Sequence, residues 1–142
     1  MYITEKPILL DRFFSSPPSD SCGALASFVG IVRDHDEGRR VKKLYYECYP
    51  AMAEKIIGKL IEETRQIGGV DEIRILHRVG ELEIGETAVV IAVSSAHRDE
   101  AFQGCRSLIE RIKKEVPIWK KQIFEDGITE WVLCGHSMEA VA

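Results

Sequence analysis

An α+β fold is the expectation for this chain, and three observations predict it. Apolar residues recur at helical spacing over two stretches, around 53–64 and 101–116. The short runs around them either alternate apolar with polar residues or are apolar throughout, as strands do. Near the C-terminal end, Asp126-Gly127 separates two such runs, a strong hairpin signal.

Taken in order, residues 15–21 hold two prolines and several serines, which suit neither helix nor ladder and read as a loop. Residues 23–33 read as a buried strand whose glycines permit close backbone approach or a bulge. A polar connection, Asp34 to Arg40 with Gly38 at the turn, leads to a second strand near Val41–Cys48. Pro50 suits the first turn of a helix. Ala53, Ile56, Ile57, Leu60, Ile61 and Thr64 would form its inner face, with Glu54, Lys55, Lys59, Glu62 and Glu63 outside. Gly68-Gly69 is expected to end it.

Ile73, Ile75, His77 and Val79 then alternate with Arg74, Leu76 and Arg78, so this segment is a strand. Glu83 to Glu86 makes a turn, and Thr87–Ser94 is an apolar strand. A second helix is expected over Asp99–Glu115, with Ala101, Phe102, Cys105, Leu108, Ile109, Ile112 and Val116 as its stripe. Its acids come early and its bases late, matching the helix dipole. Pro117 stops it and pushes Val116 to extended geometry. Strands over 118–125 and 128–133 flank the hairpin turn. The sum is a single domain over residues 1–142, a mainly antiparallel sheet with two long amphipathic helices and a C-terminal hairpin.

Composition narrows the function classes. No apolar run approaches the roughly 20 residues that span a bilayer, and the first residues lack a secretory pattern, so no membrane association is expected. Cys22, Cys48, Cys105 and Cys134 have no paired spacing, which argues for free thiols in the cytoplasm and against a metal site. With a formal charge of −4, the chain lacks the broad basic face of a nucleic-acid binder.

Against that acidic total, Arg111 to Lys121 carries five cations and one anion. Cations held close together repel unless something compensates them, so the run is a candidate anion site. Helical geometry puts Lys113 at the edge of the apolar stripe, four residues beyond Ile109, while Lys114 points away. Lys113 is then either a helix-end lysine matched to the dipole or a cleft lysine on an apolar stem. Lys120 lies past Pro117 on the opposite face of a strand from Trp119. It is either an exposed strand residue or folds back beside Lys113. Ser94 to Arg98 joins a strand to a helix N-terminus, where free amides attract anions; Ser94 or Ser95 could equally cap the helix. Arg33 closes an apolar strand. Asp34, His35 and Asp36 are neighbours on a polar loop and are not expected to converge on a metal. His77 reads as a satisfied interior histidine, and His136 lies in the C-terminal tail.

Five collinear stretches carry a resemblance: Phe-Val-Gly-Ile-Val-Arg-Asp-His (28–35), Tyr-Glu-Cys-Tyr-Pro-Ala-Met (46–52), His-Arg-Val-Gly-Glu-Leu (77–82), Ser-Ala-His-Arg (95–98) and Lys-Lys-Glu-Val-Pro-Ile-Trp-Lys-Lys (113–121). Together the chain resembles the large, catalytic subunit family of molybdopterin synthase. The resemblance implies an α/β hammerhead-type fold and a homodimeric core. A small ubiquitin-like sulfur-carrier subunit ending in Gly-Gly would sit at each end, making a heterotetramer. Sulfur from the carrier's thiocarboxylate would pass to cyclic pyranopterin monophosphate, giving the dithiolene of molybdopterin, with no cofactor. By motif position Lys113 is the catalytic lysine, with Lys120 supporting it. Arg33, His97 and Arg98 would bind substrate anions, the last two reaching across the dimer. Ile31, Val32, Lys121 and Gln122 would line the same pocket, with Phe28 and Ile109 beside it. The family's further base after the last strand's Trp-Val is missing here, with His136 the nearest substitute.

Overall fold

The computed structural model describes residues 1–133, so Cys134 and His136 lie outside the described residues. Two sheets form the frame. The first has the order β1-β5-β7-β2, built from β1 (Ile3–Thr4), β2 (Ala24–Ile31), β5 (Val70–Arg78) and β7 (Thr87–Ser95). Only its β1–β5 pair is parallel. The second joins β3 (His35–Asp36), β4 (Arg39–Cys48), β8 (Ile118–Phe124) and β9 (Thr129–Leu133), with β6 (Gly80–Glu83) also paired to β4. The α+β expectation therefore stands, with two antiparallel-rich sheets in place of one.

The two long helices are α2 (Pro50–Thr64) and α3 (Arg98–Glu115); α1 is one turn, Leu10–Phe13. Pro50 opens α2 as expected. Ala53, Ile57, Leu60 and Ile61 bury its inner face, each large side chain contributing about 1.5–3 kcal/mol. The helix ends at Thr64, ahead of Gly68-Gly69. Gly69, at φ +92°, serves the next turn instead, where an added Cβ would lie 2.9 Å from the Glu100 carboxylate.

Helix α3 packs on β2, β7 and α2 through Ala101, Gly104, Cys105, Leu108 and Ile112. Phe102 departs from the expected stripe and is 64% exposed. The closest helix approach needs the inner side to be small at Gly104, where a Cβ would come within 3.2–3.3 Å of Val93 and Thr64. Val116 is extended (φ −82°, ψ 130°) before Pro117, which turns the chain directly into β8.

Four short elements, β1, α1, β3 and β6, give no periodic signal in the sequence. Tertiary contacts hold them. The Glu54 carboxylate on α2 accepts hydrogen bonds from the amides of Tyr2 and Ile3 at 2.8–2.9 Å, fixing β1. Arg74 donates to the carbonyls of Phe13 and Ser16, pinning the α1 segment. The C-terminal hairpin turns through Glu125, Asp126 and Gly127, since Phe124 N–H bonds to Ile128 C=O and Gly127 sits at φ +89°. That is a three-residue loop with a left-handed glycine, one residue longer than the tight turn its Asp-Gly pair suggests.

Candidate active site

A cavity of about 280 Å³ lies where the two sheets and the end of α3 meet. The first sheet supplies Phe28, Gly30 and Ile31 from β2, His77 from β5, and Ala88 and Val89 from β7. The second supplies Val41, Leu44 and Tyr46 from β4, with Ile118, Lys120 and Gln122 from β8. Ile109, Ile112 and Lys113 come from α3, Arg33 from the connection after β2, and His35 from β3. Apolar side chains form the floor and cations the rim.

The five cations of residues 111–121 separate by geometry. Arg111 is committed to carboxylates, 2.7 Å from Glu63 and 2.8 Å from Glu115. Lys114 is exposed. Lys121 lies on the opposite face of β8, its ammonium 5.7 Å from the Tyr45 ring centre and 5.4 Å from that of Trp131. Lys113 and Lys120 remain, half-buried, and both line the cavity. The helix–proline–strand connection produces this. Lys113 sits in the last turn of α3, and β8 doubles back so that its even-numbered residues 118, 120 and 122 face inward.

Arg33 reaches the rim just after β2, where the pairing with β7 shifts register between Gly30 and Ile31. Such a shift re-aims the following side chains. Gly30 is required here, since a Cβ would meet Val89 Cγ1 at 2.7 Å. The side chains of Asp34, His35 and Asp36 pair with each other and with their neighbours. His35 Nδ1 pairs with Asp34 at 2.9 Å, which holds the Asp34 carboxyl below its ordinary value. Asp36 contacts Arg33 at 3.4 Å and accepts from Gln122 Nε2 at 3.0 Å.

His77 is buried as expected, but it is also a wall of the cavity, a role that strand alternation does not signal. Its Nδ1 donates to the Arg78 carbonyl at 2.8 Å, and its ring meets Tyr46 edge-on at 5.3 Å. Burial foremost, and the charge of Lys113 in addition, push its pKa down to about 4, so it faces the cavity as neutral imidazole.

Of the expected site residues, the fold brings together Lys113, Lys120, Arg33, Ile31, Gln122, Phe28 and Ile109. Val32 points into the core, 3% exposed, and Lys121 faces away; neither lines the cavity. His97 and Arg98 lie at the N-terminal end of α3. At 1.5 Å per residue that end is roughly 22 Å from Lys113. There, His97 is exposed and 3.6 Å from Glu100. The serines do not cap that helix. Ser95 donates to the His97 carbonyl, and Ser94 bonds to the backbone of Glu72.

The chain as a whole has known counterparts. Residues 3–115 match the MoaE protein family. A molybdopterin synthase catalytic subunit from Halalkalibacterium halodurans is 42% identical over 99% of this chain and 88% of its own length. One from Thermoplasma volcanium is 43% identical over 91% of this chain and 94% of its own. The crystal structure of molybdopterin synthase from Staphylococcus aureus superposes with a TM-score of 0.85 at 40% identity, over 95% of this chain and 96% of that one. Fold and sequence agree: the chain belongs to the MoaE family of molybdopterin synthase catalytic subunits.

Proposed function

We propose that this protein transfers sulfur to cyclic pyranopterin monophosphate during molybdenum cofactor biosynthesis. The sulfur comes from the C-terminal thiocarboxylate of a small ubiquitin-like carrier. The observation that carries this reading is the convergence of Lys113, Lys120 and Arg33, from three separate elements, on one cavity with an apolar floor. Both reactants are anions, so their approach needs fixed cations in a partly dry site. Arg33 offers a planar fork to the phosphate, whereas a lysine is a mobile charge that can also exchange a proton.

In this reading Lys113 acts at the reacting centre, as proton donor and acceptor or as transient acyl acceptor for the carrier tail. Lys120 neutralises charge beside it. His77, uncharged, adds no competing cation to the inner wall. A homodimer completes the site, because His97 and Arg98 lie too far from Lys113 within one protomer and belong at the partner's cavity. Carriers docked at both ends would make a heterotetramer. The test is reconstitution with thiocarboxylated carrier and precursor. Wild-type protein forms a dithiolene-bearing pterin and Lys113→Ala does not; near-normal turnover by that variant would sink the assignment.

A further inference from the structure

Asp36 sets a negative charge against two residues that line the cationic cavity, Arg33 and Gln122. Its Oδ1 lies 3.4 Å from Arg33 Nη2, and its Oδ2 accepts from Gln122 Nε2 at 3.0 Å. The two contacts differ in kind. The one to Arg33 is long and single, and the Arg33 side chain is 67% exposed, so it is weakly held. Gln122 is 5% exposed, and a buried amide donor is costly to leave without its acceptor. The hairpin also fixes Asp36 from behind. Asp36 pairs with Arg39 across a two-residue turn in which Glu37 and Gly38 both have positive φ. An anion arriving at Arg33 would therefore take the guanidinium from Asp36 without dislodging Asp36, which would stay a few ångströms away on Gln122.

We propose that Asp36 is an anion brake, weakening bound phosphate in proportion to its charge and so disfavouring a phosphate monoester more than a diester. The repulsion requires only that an anion bind at Arg33; its use rests on the sulfur-transfer reading. There the substrate is a cyclic diester with one negative charge, and opening its ring yields a monoester with about −1.5 to −2. Lys113, Lys120 and Arg33 attract the product more than the substrate for the same reason. Without a fixed counter-charge, that attraction would hold the product in the site. Asp36 opposes it most strongly once the ring has opened.

Asp36→Asn removes the charge while keeping an amide oxygen for Gln122. Dissociation constants of dimethyl phosphate and methyl phosphate, measured by calorimetry at fixed ionic strength on the full chain, decide the question. At roughly 6 Å in a water-like dielectric, the substitution should tighten the diester about threefold and the monoester about tenfold. Asp36→Glu should keep the wild-type ratio. Equal tightening of both ligands, or weaker binding of either by Asp36→Asn, would overturn the brake. With thiocarboxylated carrier and cyclic precursor, Asp36→Asn should show a product burst and then slower steady turnover; a steady rate as fast as wild type would overturn the product-release role. Absence of turnover in wild type as well would remove the sulfur-transfer reading, and the two simple phosphates would still decide the brake.

Discussion

His77 and Lys113 line one cavity, and the lysine's charge reinforces burial in holding the imidazole neutral. The hydrogen bond from Nδ1 to the Arg78 carbonyl works the other way, favouring the protonated ring, and is outweighed. A histidine kept neutral at this depth ties folding to pH as well as shaping the site.

The sign follows from proton counting. The folded value, about 4, lies below the ordinary 6.5, so between those values the unfolded chain binds more protons. Stability from this group is intact above pH 6.5 and is lost as pH falls toward 4. By pH 5 the loss is about 2 kcal/mol. Urea unfolding at pH 7.5 and pH 5 should show that drop in wild type and a clearly smaller one in His77→Asn, whatever the variant's offset. Equal drops in both would mean that His77 is not the titrating group.

Much of the frame was legible because long elements repeat. The two helices and the long strands of the first sheet announce themselves through spacing, and Pro50 and Pro117 mark helix boundaries as they should. What periodicity does not carry is partnership. The two-residue strands β1 and β3 exist through a carboxylate on α2 and a tight turn. Phe102 fits the helical stripe by spacing yet is displaced by the small Gly104 at the α2–α3 contact. In the site, strand alternation separated Lys120 from Trp119 and helix geometry separated Lys113 from Lys114. Lys121 and Val32 came in with their motifs, and alternation turns each away from the cavity. Asp36 and His77 were invisible as site residues, because their roles depend on which distant side chains the fold brings beside them.

The cation run gives a graded prediction. In the reconstituted reaction, Lys113→Ala should lower kcat by about 10²–10⁴-fold, the range for loss of a positioned proton-transfer group. Lys120→Ala, removing charge without the reacting group, should cost less. Lys114→Ala, on an exposed side chain, should leave both kcat and KM near wild type. Lys113→Arg keeps a charge but cannot readily exchange a proton, so it should stay nearly as poor as the alanine. Full activity in Lys113→Arg would reduce Lys113 to a fixed charge.

The proposed homodimer, with His97 and Arg98 serving the partner's cavity, predicts complementation between protomers. His97→Ala/Arg98→Ala and Lys113→Ala proteins should each be inactive alone. In a mixed dimer built on a two-fold axis, one composite site carries both defects and the other carries neither. Random exchange of equal amounts should then restore about a quarter of wild-type activity, since half the dimers are mixed and each has one intact site. No recovery after verified subunit exchange would mean that His97 and Arg98 do not serve the partner's cavity.

The turn between β6 and β7 depends on an ion pair that should be hard to break from one side. Arg78 is 11% exposed in its side chain, and its Nη1 lies 2.7 Å from Glu86 Oε1. The other Glu86 oxygen accepts from the Glu83 amide at 2.6 Å, closing the turn. That amide foremost, together with Arg78, holds the Glu86 carboxyl below its ordinary value. Arg78 Nη2 also donates to the Glu81 carbonyl at 3.2 Å, while its Nε is buried without a partner. Glu86→Ala would strand a nearly buried cation and an amide donor, at a cost of about 2–4 kcal/mol. Arg78→Met/Glu86→Leu removes the charge along with its partner and should recover much of that loss. Denaturant midpoints for the two single variants and the double variant test this coupling. If the single losses simply add in the double variant, the pair is two independent surface charges and this account of the turn fails.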